Sequence, residues 1–328
     1  MTDVATAAGV SHMTVSRVLN GTAPVSPATR ARVEAALREL GYRPNAAARA
    51  LVTGRSGQLS VVFFDTTLYG PASALFAIEQ AARRENYSVS ILSLPRIDPA
   101  SMTDAVARLR AQAVDGTIIV APHTSSAAAL RTVPSDLPAV VVGGATAPGL
   151  PSVTLDQEAG ARLATRHLLD LGHRTVWHVA GPEDWVDARG RIKGWRRTLQ
   201  QAGVEVPSVL TGDWSARSGY EAGRRLAADT SVTAIFTGND QMALGVLRAL
   251  ADAGRRVPDQ VSVVGFDDIP EAPYFPTALT SVRQEFEVVG TRAVALLLRR
   301  MAGEPTTVKT VLPPTFINRD STTAAPSR

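Results

Sequence analysis

"TDVATAAGVSHMTVSRVLNG", residues 2–21, decides how the rest of the chain is read. Inward Val4 and Ala8 with Gly9 behind them predict a short helix and its stop, because glycine takes positive φ at little cost. Thr2 or Asp3 is placed to cap that helix. Ser11 is placed to cap a second one, whose inner stripe is Val15, Val18 and Leu19. His12, Met13, Ser16, Arg17 and Asn20 then lie on the outer face or at the ends. Two helices joined by a short Gly turn, with polar outward residues at the start of the second, make a helix-turn-helix, which inserts that second helix into a DNA major groove.

The next stretch completes a small domain. In "VSPATRARVEAALRELGYRP", residues 25–44, Ser26 caps a third helix, Pro27 opens its first turn and Gly41 follows its end. Val33, Ala36, Leu37 and Leu40 form the expected buried stripe. Charge sets this head apart. Residues 1–57 hold seven arginines and three acids, a net of +4; that is the formal charge of the whole 328-residue chain, so the remainder is neutral. A compact basic head on a neutral body fits a polyanionic partner.

Between head and body lies "PNAAARALVTGRSG", residues 44–57. Pro44 ends the head. "NAAARALV" favours helix but is two turns long, too short to persist alone in water. Asn45 is its cap, and "TGRSG" releases the chain into the first strand.

From Leu59 the pattern becomes short apolar runs alternating with amphipathic helices. The runs "LSVVFF", "SVSILSL", "GTIIVA" and "AVVVG" form one set. After "PSVTLD", "TVWHVAG", "TAIFTG" and "VSVVGFDD" form another. Runs apolar on both faces and separated by helices are buried parallel strands, and two sets predict two doubly wound subdomains. Ligands of such sheets sit at the carboxyl ends of the strands. The polar residues expected there are Asp65, Thr66 and Thr67; Asp156; Asp187, Arg189 and Arg191; Asn239 and Asp240; and Asp267 and Asp268. Trp214 adds an aromatic face. Carboxylates, an amide, a guanidinium and an indole together suit a polyhydroxylated ligand. Asp156, Asp240 and Asp268 equally fit helix caps or structural hydrogen bonds, and Arg189 fits a solvated or salt-bridged neighbour, with Asp187 as the candidate partner. Trp177, Trp185 and Trp195 fit packing better than ligand contact, and His123, His167, His173 and His178 receive no role.

Several classes are excluded. The chain has no cysteine, so disulfides and thiolate sites are ruled out. No apolar run reaches a membrane span, and no signal-peptide core precedes the head, which makes the cytoplasm the expected location. There is no nucleophile elbow, P-loop, H-E-x-x-H or dinucleotide fingerprint. An enzyme is therefore not expected, nor a cofactor or metal.

"DVATAAGVSHMTVSRVLNG" and "VSPATRARVEAALRELGYRPN" resemble the start of the lac/galactose repressor family of bacterial transcription factors. "AGPEDWVDARGRIKGW", "GDWSARSGY", "NDQMALGVLRAL", "SVVGFDD" and "LTSVRQEFEVVG" extend the resemblance over nearly the whole chain, closest to the lac subgroup. It implies an N-terminal three-helix helix-turn-helix domain and an α/β core like the periplasmic binding proteins, built from two doubly wound parallel-sheet subdomains. The domain expectation is 1–44 for the head, 45–57 for a hinge helix, and 58–320 for the core. Within the core, 58–155 with 286–313 and 156–285 with 314–320 make the two subdomains, and 321–328 are expected as a disordered tail.

The resemblance also implies roles. His12, Met13 and Arg17 would read bases; Ser11, Thr14, Ser16, Asn20, Ser26 and Thr29 would contact phosphate or position the head. Asn45 and Leu51 would act in paired hinge helices, Leu51 as a wedge in the minor groove. Thr66, Asp187, Arg191, Trp214, Asn239, Asp267, Gln284 and Phe286 would hold the effector, with Gln284 and Phe286 as the floor. Two positions depart from the lac subgroup: Gly143 replaces an aspartate and Asp187 a serine. Relatives carry residues ahead of "DVA", which leaves a start upstream of Met1 open. The chain lacks C-terminal leucine heptads, so a homodimer is expected. The function implied is repression of carbohydrate genes at a pseudo-palindromic operator, relieved by a mono- or disaccharide. A purine corepressor and a sugar-binding transport protein are the rival readings; sugar fits the motifs better than the first, and the basic head argues against the second.

Overall fold

A computed structural model describes residues 1–20, 23–42, 54–64, 67–306 and 309–326. The chain divides into two compact units, Met1–Ser56 and Gly57–Arg328.

In the first unit α1 (Thr2–Ala8), α2 (His12–Asn20) and α3 (Pro27–Glu39) enclose a core of Val4, Ala5, Ala8, Val15, Val18, Val33 and Ala36. Gly9 closes α1 in the left-handed region, φ 62°, and the following N–H of Val10 bonds Ala5 O at 3.0 Å. Ser11 Oγ accepts the N–H of Thr14 at 3.2 Å and Ser26 Oγ that of Thr29 at 3.3 Å, so both expected caps form. Two expectations fail. Neither Thr2 nor Asp3 caps α1: the helix begins at Thr2, so both lie inside its first turn and Met1 is the cap residue, without a side-chain bond. Leu40 is exposed rather than buried, because α3 ends at Glu39 and the turn swings Tyr42 back against the core, its N–H bonding Leu37 O at 3.0 Å.

Among its described residues the second unit forms two six-stranded sheets. The first uses β1 (Gln58–Phe63), β2 (Ser88–Ser93), β3 (Gly116–Val120), β4 (Ala139–Val142), β5 (Ser152–Leu155) and, from the far end of the sequence, β11 (Lys309–Leu312). Its order is β11-β5-β4-β3-β1-β2, all parallel. The helices α4 (Tyr69–Arg84), α5 (Pro99–Ala111) and α6 (Ser126–Leu130) connect its strands.

The second sheet is built from β6 (Trp177–Ala180), β7 (Leu210–Thr211), β8 (Ala234–Thr237), β9 (Ser262–Asp267), β10 (Thr280–Arg283) and β12 (Thr315–Ile317), in the order β12-β10-β9-β8-β6-β7. It is parallel except for β12, which runs against β10. Its helices are α7 (Gln157–Asp170), α8 (Val186–Gln201), α9 (Ala216–Ala227) and α10 (Asp240–Asp252); α11 (Phe286–Met301) returns to the first sheet, packing on α4. The chain thus crosses between subdomains after β5, after β10 and between β11 and β12. Apolar side chains fill both faces of each sheet, as expected of buried parallel strands. No helix among the described residues is long and apolar enough to cross a membrane.

The tail expected to be disordered from 321 is held over its described residues, 321–326. Ser321 is fully buried; its Oγ donates to Val263 O at 2.6 Å and accepts the N–H of Thr280 at 2.8 Å. Thr323 N–H bonds Ser262 Oγ at 3.1 Å, and His173 Nε2 approaches Thr323 O at 3.2 Å. The composition of "STTAAPSR" hid this, because small hydroxyl residues serve equally well in a free tail and in hydrogen bonds to a sheet.

Candidate functional site

On the head, Ser11, His12, Arg17 and Met13 are exposed, Met13 to 62% despite its apolar side chain, and Thr14 and Ser16 are half-buried beside them. Ser26 and Thr29 stand together at the start of α3, their hydroxyls 2.9 Å apart. The core stripe Val15 and Val18 faces inward, so α2 turns the expected reading residues outward as one face. Asn20 ends α2. Asn45 and Leu51 lie outside the described residues, as does Thr66.

In the second unit a cavity of about 300 Å³ opens between the subdomains. Its second-subdomain wall includes Asp187, Arg191, Trp214, Asn239, Asp267 and Gln284. These are the residues singled out from the sequence, and they converge. The first-subdomain wall is mostly apolar, with Val120, Val142, Val153, Phe286 and Val289 beside Thr67 and Thr154, and Tyr69 stands against Phe286 edge to face at 6.0 Å. Gly143, one of the two departures, lines the cavity and adds no side chain.

Arg191 organises the polar wall. It is 4% exposed, on the first turns of α8, with its guanidinium stacked 3.8 Å over the Phe266 ring. Its Nε donates to Gln157 Oε1 at 2.8 Å, and an Nη donates to Gly238 O. The other Nη lies 3.8 Å from Asp267 Oδ1. Gln157 Nε2 donates to Gln284 Oε1 at 2.9 Å, and Gln284 Nε2 donates to Asp267 Oδ1 at 2.5 Å. The result is a closed ring of arginine, two carboxamides and a carboxylate. Burial pushes Asp267 up to about 6, while Arg191 and the Gln284 bond pull the other way. Burial likewise raises Asp187, opposed by Arg191.

Gln157 had no place among the sequence candidates. It follows Asp156 at the first crossover, where its neighbour gave a cap signal but nothing marked its own side chain. The bland readings of the other acids hold: Asp156 caps α7 through the N–H of Ala159, and Asp268 is clamped by Arg283 and Arg319 at 2.6 and 2.7 Å. Arg189 is exposed and bonds Glu183 O, not Asp187. Asn239 spends its amide on structure: Oδ1 accepts the N–H of Met242 and Nδ2 donates to Trp214 O, at 2.9 and 3.0 Å. Trp214 is 6% exposed, at φ 72°, and its buried indole N–H has no acceptor among the described residues. Trp195 is core, as expected; Trp185, expected to be packing, also lines the cavity and meets Trp214 edge to face at 5.5 Å.

A clasp crosses the cleft beside this wall. Thr124 N–H bonds Asp184 O and Val186 N–H bonds Pro122 O, both at 2.9 Å, pairing the loop after β3 with the loop after β6. Val186 packs into the space above Gly144, where a Cβ would collide with it.

Residues 1–45 match the family described as bacterial regulatory proteins, lacI family, and residues 165–322 match a periplasmic binding protein-like domain. The chain is 36% identical to the lactose operon repressor of Escherichia coli (strain K12), over 98% of this chain and 90% of that one. It is also 36% identical to the HTH-type transcriptional regulator CelR of Thermobifida fusca, over 97% and 96%. Among solved structures, the lac repressor dimer bound to operator and the anti-inducer ONPF superposes with a TM-score of 0.86 at 35% identity, covering 98% of each chain. A CelR–cellobiose complex gives 0.72 at 32% identity, covering 97% and 98%. The chain belongs to the lacI family of bacterial regulatory proteins.

Proposed function

We propose that this protein is a DNA-binding transcriptional repressor of carbohydrate-utilisation genes, released from its operator by a mono- or disaccharide in the inter-subdomain cleft. The observation that carries the reading is the joining, in one chain, of an exposed α2 reading face to an Arg191–Asp267–Gln284 ring walled by Trp214. The ring offers paired donors and acceptors to vicinal hydroxyls, and the indole offers an apolar face. Asp187 would add acceptors beside it, Asn239 the second hydrogen of its Nδ2 and the second lone pair of its Oδ1, and Phe286 the floor.

As a dimer, the protein would set two α2 helices into successive major-groove faces about 34 Å apart. Arg17, His12 and Met13 would read bases, while Ser11, Thr14, Ser16, Asn20, Ser26 and Thr29 would hold the phosphates. Asn45 and Leu51 would contribute to operator binding, Leu51 in the minor groove, and Thr66 would contact the effector. A sugar shifts the equilibrium only by its differential affinity for the two cleft forms.

Electrophoretic titration of the protein on its own promoter, with and without cellobiose, lactose and their monosaccharides, tests the reading. Operator affinity should fall with at least one sugar, and Arg191→Met should abolish that response. Unchanged affinity across the panel would sink the inducer.

A further inference from the structure

Asp267 reaches the cleft through a turn that the backbone does not favour. Asp267 and Asp268 both have positive φ, 107° and 53°, and neither is glycine. Two such residues in succession persist only where their surroundings hold them. The hold comes from behind the cleft. Asp240, the first residue of α10, is 0% exposed. Its Oδ2 accepts the N–H of Ile269 at 2.8 Å, just past the turn. Its Oδ1 accepts the hydroxyl of Ser281 at 2.6 Å, and Ser281 Oγ in turn accepts the N–H of Asp268 at 3.1 Å. Gly265 on β9 leaves the room for this, since a Cβ there would collide with Asp240 Oδ1 and the Leu279 side chain.

We infer that Asp240 is a positioning residue for effector binding: directly and through Ser281 it holds the N–H groups of Ile269 and Asp268, the two that follow Asp267, and so sets where the Asp267 carboxylate meets the ligand. The inference rests on the proposed sugar reading of the cleft. Asp240 does not line the cavity and would not touch the ligand itself. Burial first, and the neighbouring Asp267 carboxyl next, hold Asp240 well above the usual carboxylate range, which favours its protonated form. A protonated carboxyl and a carboxamide have the same shape. Asn at this position keeps an acceptor for Ile269 and donates an N–H to the second lone pair of Ser281 Oγ, which reverses the bond that Ser281 now donates and requires its hydroxyl hydrogen to turn away.

The test uses the full chain and cellobiose as the probe, titrated by tryptophan fluorescence, with amide exchange followed in the sugar-free protein. Asp240→Ala should weaken cellobiose binding by about ten-fold or more and speed exchange at the Ile269 amide by a similar factor. Its operator affinity without sugar should stay within about two-fold of wild type, since the head is a separate unit. Asp240→Asn should restore both readouts, which a general loss of packing would not do. If Asp240→Ala fails to fold, Ser281→Ala removes only the Asp268 arm and should weaken cellobiose in the same direction. Wild-type cellobiose affinity in a folded Asp240→Ala protein overturns the inference. So does an Ile269 amide that exchanges equally fast in both proteins. If wild type ignores cellobiose, that sugar is discarded as effector and the exchange comparison alone decides whether Asp240 holds the turn.

Discussion

His123 and Trp185 face each other across the mouth of the cleft as an antiparallel bridge pair, one from each subdomain, with their rings edge to face at 4.8 Å. His123 Nδ1 lies 3.2 Å from Asp184 Oδ2, but that carboxylate is largely exposed, and such pairs contribute about 0–1 kcal/mol. The backbone bonds of Thr124 and Val186 therefore carry most of the clasp. Asp184→Ala should lower stability by less than about 1 kcal/mol. Thr124→Pro, which removes the donor to Asp184 O, should loosen the cleft, seen as faster exchange at the Val186 amide and a larger radius in solution scattering. Equal exchange in both proteins would show that the clasp does not hold the subdomains together.

Arg17→Ala should lose discrimination at one base pair of each operator half-site, at a cost of about 1–3 kcal/mol. Competition binding on operators with every substitution at that pair checks it. A uniform loss on all sequences, with a shallower salt dependence, would make Arg17 a phosphate contact instead.

The pH dependence of stability should carry the signature of His178. The ring is stacked on Phe236 at 4.5 Å, and burial drives it down to about 4 despite its bond to Phe236 O. The unfolded chain binds that proton near pH 6.5, the folded protein only near 4. The contribution is thus fully present above about pH 6.5 and is lost as pH falls toward 4, by about 3 kcal/mol in all. Asp267, raised to about 6, acts in the opposite sense, since its folded form binds a proton more tightly. Urea melts of wild type and His178→Phe between pH 7.5 and 4.5 separate the two. A His178→Phe protein with the wild-type slope would refute the assignment.

Ser321→Ala should destabilise the second subdomain by about 1–3 kcal/mol, because it leaves the buried Val263 carbonyl and the Thr280 N–H each one partner short. Thermal unfolding checks this. A change below about 0.5 kcal/mol would mean that water replaces the hydroxyl.

Local periodicity made the head and the buried strands legible: Val15 and Val18 point inward and Arg17 outward simply because helices repeat every 3.6 residues. Arg191, Asp267 and Gln284 were legible because strand ends converge in such sheets and because of the family resemblance. What stayed hidden depends on contacts between distant segments. Gln157 completes the ring only because Gln284 lies next to it across 127 positions. The clasp of Pro122 with Val186 pairs two loops with no pattern in either. Leu40 fits a helical stripe that the helix does not reach, and Ser321 reads as tail until Val263 is found beside it.

The last two strands have a consequence for how the protein is made. β11 completes the first sheet at one edge and β12 completes the second, and each comes from residues 309–317. While the chain is being synthesised, both subdomains lack an edge strand until this segment leaves the ribosome. The head needs only residues near the start and has its whole core long before. A nascent chain therefore holds every residue of the helix-turn-helix core well before either sheet beside the cleft is complete.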